Sequence, residues 1–319
     1  MDKNKLITKL QQLKKEKNAV ILAHYYQEED IQDVADYIGD SLGLAIATTK
    51  TDADIIVFAG VHFMAETAKL MNPNRKVVLP DLEAGCSLAD SCPPDQFKDF
   101  VEQHPDHTVV SYVNCSAGVK ALTDIVCTSS NAVDIINSFP PEEKIIFAPD
   151  KNLGRYIQKV TSRDLVLWEG ACIVHEAFSF DKLVALKNEY PTAKVVAHPE
   201  AEEHVLEIAH FVGSTSKMIH YIETSPDDTF IVGTEAGILY ELGKRVPNKT
   251  LIPVPIKEDN TCACSECAFM KVNTLEKVYN CLLNETPEVT IDVAIFDKAR
   301  APIEKMINFS ESIAVEQKA

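Results

Sequence analysis

No apolar run in this 319-residue chain approaches the roughly 18 residues needed to cross a bilayer, so no membrane-spanning segment is expected. Positive charge is scarce. Against 48 Asp and Glu stand 31 Lys and Arg, a formal net charge of −17, and the resulting field repels polyanions and argues against nucleic-acid binding. No Gly-, Ser- or Pro-rich linker divides the chain, which disfavours independent beads on tethers. GxGxxG, the Walker loop, GxSxG and HExxH are all missing, and the chemistries that those motifs carry go with them. The opening MDKNKLITKLQQLKKEKN lacks the apolar core and small-residue cleavage site of an export signal. Its Leu6, Leu10 and Leu13 instead share one face of an amphipathic helix, expected to dock on the core. A soluble, cytoplasmic protein is the expectation.

At 46% hydrophobic and 25% charged the composition is that of a globular protein, and the length suggests about two domains. The nine cysteines, at 86, 92, 115, 127, 172, 262, 264, 267 and 281, are an odd number for a disulfide framework. In a reducing compartment, clustered thiols point to metal or catalytic roles. Lone thiols are more often small buried apolar residues, and Cys92, Cys115, Cys127 and Cys281 read that way.

A long internal repeat organises the rest. Three apolar runs end in polar clusters: Val20–Ala23 before His24-Tyr25-Tyr26, Val109–Ser111 before Tyr112-Val113-Asn114, and Val195–Ala197 before His198-Pro199-Glu200. Taking His24, Tyr112 and His198 as equivalent, 17 residues further on stands a hydroxyl each time, at Ser41, Ser129 and Thr215. A second β-like run follows, at 54–58, 145–147 and 230–232, and beyond a third run comes a cysteine, Cys86, Cys172 or Cys267. Segments 31–37, 97–101, 183–188 and 205–211 read as helices between these runs. Strands alternating with helices imply parallel βαβ units. The expected fold is therefore α/β: three pseudo-threefold-related three-layer αβα units, each of about three strands and three helices. Their parallel sheets surround a central cavity, and the units run 1–106 with an N-terminal helix, 107–192, and 193–319 with C-terminal helices. Ligands of open α/β sheets bind beyond the carboxyl ends of the strands, where all three polar clusters would lie.

One cysteine from each unit can then meet on the axis, a donor set suited to a soft metal. Three thiolates would leave one iron of a [4Fe–4S] cube open to substrate as a Lewis acid. Zinc, a redox dithiol and simple burial compete with this reading, since Cys262-Ala-Cys264-Ser-Glu-Cys267 holds a single Cys-X-X-Cys, Cys264 to Cys267. Ser41, Ser129 and Thr215 are expected to cap helices, where free amides and the helix dipole favour carboxylate or phosphate, with His24 and His198 beside them. Tyr26, Tyr112, Asn114 and Glu200 are candidates for proton transfer and orientation. His175, three residues past Cys172, either lines the same cavity or bonds backbone, and Lys151 and Arg155 either draw anions inward or face solvent.

The stretches AHYYQ (23–27), GDSL (39–42), PDLEAGCSLAD (80–90), YVNCSA (112–117) and CTSSNA (127–132) occur in the order found in the quinolinate synthase family, enzymes of NAD biosynthesis. APDKNLG (148–154), WEGACIVHE (168–176), AHPE (197–200), GSTSKM (213–218) and CAFMKVN (267–273) continue the resemblance across nearly the whole chain. The resemblance implies condensation of iminoaspartate with dihydroxyacetone phosphate to quinolinate, phosphate and water. It implies a [4Fe–4S] cluster on Cys86, Cys172 and Cys267, and a substrate site of His24, Ser41, Tyr112, Asn114, Ser129, His198, Glu200 and Thr215. Tyr26 matches a further catalytic tyrosine, with Tyr112 and Glu200 as proton-transfer candidates. A functional link to an L-aspartate oxidase that makes the imine is also implied. The spacing Cys262-Ala-Cys264-Ser-Glu-Cys267 departs from the Cys-X-X-Cys-X-X-Cys of some relatives, and Cys267 is taken as the ligand from the Ala268–Asn273 context that follows it. Another open-iron hydro-lyase, or a non-enzymatic metal sensor, is the alternative to this reading.

Overall fold

The computed structural model describes residues 2–257 and 265–316, with side chains as far as 313; Cys262 and Cys264 lie outside the described residues. Three parallel four-stranded sheets carry the fold. The first holds β1 (Ala19–His24), β2 (Tyr37–Gly39), β3 (Ile55–Ala59) and β4 (Lys76–Val78). The second holds β5 (Thr108–Tyr112), β6 (Ile125–Cys127), β7 (Ile145–Ala148) and β8 (Leu165–Leu167). In the third are β9 (Lys194–Ala197), β10 (Phe211–Val212), β11 (Thr229–Gly233) and β12 (Thr250–Pro253). Each sheet has the same order, with its second strand outermost, then the first, third and fourth. The register repeats too: Ala19 pairs with Ile55, Thr108 with Ile145 and Lys194 with Phe230. The threefold repeat is thus a repeat of topology, and each unit is an α/β layer structure.

Each unit has four strands where the sequence reading gave about three. The extra ones, β2, β6 and β10, are only two or three residues long. Two of them also shorten helices expected from periodicity. The segment 31–37 divides into helix Glu29–Val34 and strand β2, and 205–211 into helix Glu203–Glu207 and the start of β10. Segments 97–101 and 183–188 fall inside helices Pro94–Glu102 and Phe180–Glu189 as expected.

The apolar runs bury because parallel strands are covered on both faces; every residue of β3 and β7 is buried. The N-terminal helix Lys3–Glu16 does dock, burying Leu6, Leu10 and Leu13 against Ile21, Val278 and Leu282. Its partner helix, Leu275–Asn284, comes from the far end of the chain. The last helix, Phe296–Glu316, returns across the first two units. Its Ala299, Ile303, Met306 and Ile307 join the core of β5, β7 and helix His62–Met71, and Ser310 Oγ accepts from Asn131 Nδ2 at 2.9 Å. The tail straps the units together.

Candidate active site

In a sheet of this order the chain leaves the first strand on one side and the third on the other, which opens a crevice at their carboxyl ends. His24 and Tyr112 are the last residues of β1 and β5, and His198 directly follows β9. The three crevices face one another around a cavity enclosing about 740 Å³, open mouth included. His24, Tyr26, Ser41, Tyr112, Asn114 and Ser129 line it. So do His198, Glu200, Thr215, Cys86, Cys172 and Cys267, so the structure brings every sequence-expected site residue to one place. His175 lines it as well. Lys151 and Arg155 do not: they pair with Glu176 (3.0 Å) and Glu169 (3.7 Å) beside a separate cavity.

The hydroxyls are not the helix caps that the sequence suggested. Asp40 caps the helix Ser41–Lys50, accepting from Gly43 N at 2.9 Å, and Ser214 caps Thr215–Thr224. Asn131 precedes the helix Ala132–Ser138, two residues beyond Ser129. Asp and Ser are stronger caps than Thr. Two of the three site hydroxyls bond to other units instead. Thr215 Oγ1 lies 2.9 Å from Tyr26 Oη, and Ser129 Oγ lies 3.1 Å from His198 Nε2.

Two imidazoles share one arrangement. The Tyr26 amide donates to His24 Nδ1 (3.2 Å), and the Glu200 amide donates to His198 Nδ1 (3.4 Å). With Nδ1 accepting, the hydrogen of each neutral ring sits on Nε2. Burial pushes both rings down to about 4, against the pull of Asp40 and Glu200, so both are neutral at physiological pH. No Lys or Arg is among the described residues that line the cavity. An anion there meets hydrogen-bond donors and the positive ends of the helices Ser41–Lys50 and Thr215–Thr224.

Glu200 is the charged centre. Burial by itself would raise it, but His175, His198 and the Tyr112 hydroxyl outweigh that and hold it near about 2. Tyr112 Oη donates to Glu200 Oε1 at 2.5 Å, the length of a charge-assisted bond. On the other oxygen, His175 Nδ1 stands 3.3 Å from Oε2, near enough for charge pairing though not aligned as a hydrogen bond. His175 Nε2 reaches Thr234 Oγ1 (3.1 Å), which lies 2.7 Å from Tyr26 Oη. A continuous polar path therefore runs from Tyr26 through Thr234, His175 and Glu200 to Tyr112, crossing all three units. Burial raises both tyrosines, and for Tyr112 the Glu200 charge adds to it, so each holds its proton at rest.

Each of the three cysteines occupies the N-cap position of a four-residue helix: Ser87–Asp90 after Cys86, Ile173–Glu176 after Cys172, and Ala268–Lys271 after Cys267. Backbone amides of Ala89, His175 and Met270 favour the respective thiolates. Burial works the other way. It pushes the Cys86 thiol up to about 12 and raises Cys172 and Cys267, with neighbouring sulfurs and acids adding like charge. Three half-buried thiols that are costly to ionise, each with an amide that favours the thiolate, suit a soft metal centre that supplies the missing positive charge. Gly170 makes the Cys172 loop possible, since a Cβ there would sit 2.5 Å from Pro149 O. Cys172 Sγ, a His175 nitrogen and a Glu200 oxygen also lie within 4.8 Å of one another, a second donor set that shares Cys172 with the first. Cys92, Cys115, Cys127 and Cys281 are buried free thiols within apolar clusters.

Residues 8–308 match the family described as Quinolinate synthetase A protein. The chain belongs to that family. It is 59% identical to the quinolinate synthase of Trichormus variabilis over 96% of this chain and 94% of that one. It is 58% identical to that of Chloroherpeton thalassium, over 96% and 95%. Among solved structures, the E-1-hydroxy-2-methyl-but-2-enyl-4-diphosphate reductase from Plasmodium falciparum is similar at 13% identity and a TM-score of 0.32, over 88% of this chain and 94% of that one. At that score the overlap carries no argument. No helix among the described residues is long and apolar enough to cross a membrane.

Sequence reasoning missed several residues of this quinolinate synthase family site. Thr234 and Glu235 follow β11 as Pro149 and Asp150 follow β7, so the ends of the third strands were an available signal. Glu235 lines the cavity, accepts from Cys267 N (3.0 Å) and Gly237 N (2.7 Å), and is pushed up to about 7 by burial. Asp150 is wholly buried and, through burial and the Glu200 charge, raised well above the usual carboxylate range. Asn114 Oδ1 is buried without a hydrogen-bond partner in the cavity wall, an acceptor left for a ligand.

Proposed function

We propose that this enzyme condenses iminoaspartate with dihydroxyacetone phosphate, yielding quinolinate, phosphate and water, on a protein built from repeats 1–106, 107–192 and 193–319. Cys86, Cys172 and Cys267 would hold a [4Fe–4S] cluster. When bound, such a cluster offers an iron without a protein ligand, which serves as a Lewis acid. His24, Ser41, Asn114, Ser129, His198 and Thr215 would bind the phosphate and carboxylates of the substrates. Neutral Nε2–H groups and hydroxyls give direction, and helix N-termini give the favourable field.

Proton handling falls to the path between Tyr26 and Tyr112. Glu200, ionised and within reach of Tyr112, is the base; Tyr112 delivers or withdraws a proton at its Oη. Tyr26 Oη exchanges a proton through Thr234 Oγ1 and His175, whose Nδ1 stands 3.3 Å from Glu200 Oε2. Imines hydrolyse in water, so the buried walls protect the substrate. The imine comes from an L-aspartate oxidase acting in the same cytoplasm, a functional link that needs no stable complex.

One observation carries this reading: a cysteine from each unit and the Glu200–Tyr112 pair line a single cavity. The test is quinolinate formation, by mass spectrometry, from anaerobically reconstituted protein given dihydroxyacetone phosphate and freshly generated iminoaspartate. Product is expected from the wild type and none from Cys86→Ala. A brown, cluster-loaded protein that makes no quinolinate overturns the reaction.

A further inference from the structure

The cavity assigned to anionic substrates has no Lys or Arg in its described lining, yet a cation stands directly behind one wall. Lys120, at the end of the short helix Ala117–Lys120, is fully buried. Its Nζ donates to Val113 O at 3.0 Å and to Cys115 O, the carbonyls on either side of Asn114. Val113 O also accepts from Cys115 N at 2.8 Å, so Asn114 sits at the apex of a three-residue turn whose two ends Lys120 holds. Nζ lies 5.5 Å from the centre of the Phe63 ring, and both Phe63 and Asn114 line the cavity.

The energetics are unusual. A buried ammonium is costly unless an opposite charge neutralises it. No carboxylate oxygen lies within 4.0 Å of Lys120 Nζ among the described residues. Glu66, a buried acid of the neighbouring helix His62–Met71, spends Oε2 on Ala117 N (3.0 Å). Carbonyls and a ring face solvate the ammonium, and no carboxylate among the described residues pairs with it directly. In a low-dielectric wall that charge acts on the adjacent space far more strongly than it would through water.

We propose that Lys120 is the counter-charge of the anion site. It is a positioning residue that clamps the Asn114 turn and supplies, through the cavity wall, the positive field for a phosphate or carboxylate ligand. The inference rests on the anionic substrates proposed above, but its test does not require turnover. Inorganic phosphate, dihydroxyacetone phosphate and neutral dihydroxyacetone are titrated calorimetrically into cluster-loaded wild type, Lys120→Met and Lys120→Gln. Gln keeps N–H donors for the carbonyls and lacks the charge, so it decides the question if Met does not fold. The expected result is phosphate and phosphate-ester affinity weakened roughly tenfold or more in either variant, with dihydroxyacetone little changed. In turnover the same loss is expected in KM, with kcat largely kept. Equal weakening of charged and neutral ligands would reduce Lys120 to a structural clamp. Unchanged phosphate affinity in a folded variant would also overturn the proposal. Wild type that binds phosphate but forms no quinolinate would sink the reaction and leave this inference standing.

Discussion

His24 and His198 are held in one tautomer by the same device, a backbone amide two residues further on that donates to Nδ1. The device presents Nε2–H from two different units. Both rings are buried and neutral, so any anion received there would meet N–H donors and not imidazolium charge.

That neutrality makes stability fall in mild acid. Each native ring sits at about 4 against 6.5 when unfolded, so between those values the unfolded chain binds the extra protons. Stability then rises with pH up to about 6.5 and is lost as pH drops toward 4, on the order of 3 kcal/mol per ring over the whole window. Denaturant unfolding of the cluster-free protein at pH 7, 6, 5 and 4 should show this slope, flattened in His24→Asn/His198→Asn. An unchanged slope in that double variant would place the acid sensitivity elsewhere.

Tyr112→Phe and Glu200→Gln should each lower kcat by roughly 10²- to 10⁴-fold while the cluster absorbance stays at the wild-type level. Stopped-flow or mass-spectrometric rates check this. Wild-type kcat in Glu200→Gln would remove the carboxylate from proton transfer.

Cys86→Ala, Cys172→Ala and Cys267→Ala should each lose iron and sulfide on anaerobic reconstitution, whereas Cys92→Ala, Cys281→Ala and Cys262→Ala keep them. Iron analysis reads the outcome directly. Retention in Cys267→Ala with loss in Cys262→Ala would move the third ligand.

Thr234 joins Tyr26 Oη to His175. Thr234→Val should therefore cut kcat roughly 10²-fold, and Thr234→Ser, which keeps the hydroxyl, should restore most of it. Equal activity in Val and Ser variants would mean that no proton passes this residue.

Leu10 is wholly buried between the N-terminal helix and helix Leu275–Asn284. Leu10→Ala is expected to cost about 2–5 kcal/mol in urea unfolding, with the site intact in the folded fraction.

The sequence made the threefold plan legible because hydroxyls recur at one offset and because buried parallel strands read as uninterrupted Val/Ile runs. β2, β6 and β10 stayed invisible for the opposite reason: at two or three residues they have no period to detect. Tyr37 and Phe211 were absorbed into neighbouring helical patterns for that reason. The site residues following the first strands, and Cys86, Cys172 and Cys267, were readable from their positions. Thr234 and Glu235 stood at a readable place, the end of a third strand, but Lys120 did not, since a Lys in such a chain is ordinarily exposed and only packing shows that this one is buried. Capping misled in a different way, because Asp40 and Ser214, one residue upstream, compete for the same amides.

The strap formed by the last helix sets a timetable. Cys86 emerges from the ribosome early, whereas Cys267 and the helix Phe296–Glu316 that braces the first two units emerge near the end. At about 5–20 residues per second, Cys86 waits on the order of 10–35 s for its third partner. Until residue 267 has been made the three-cysteine pocket is incomplete, so the cluster proposed above would lack its third thiol on any shorter chain.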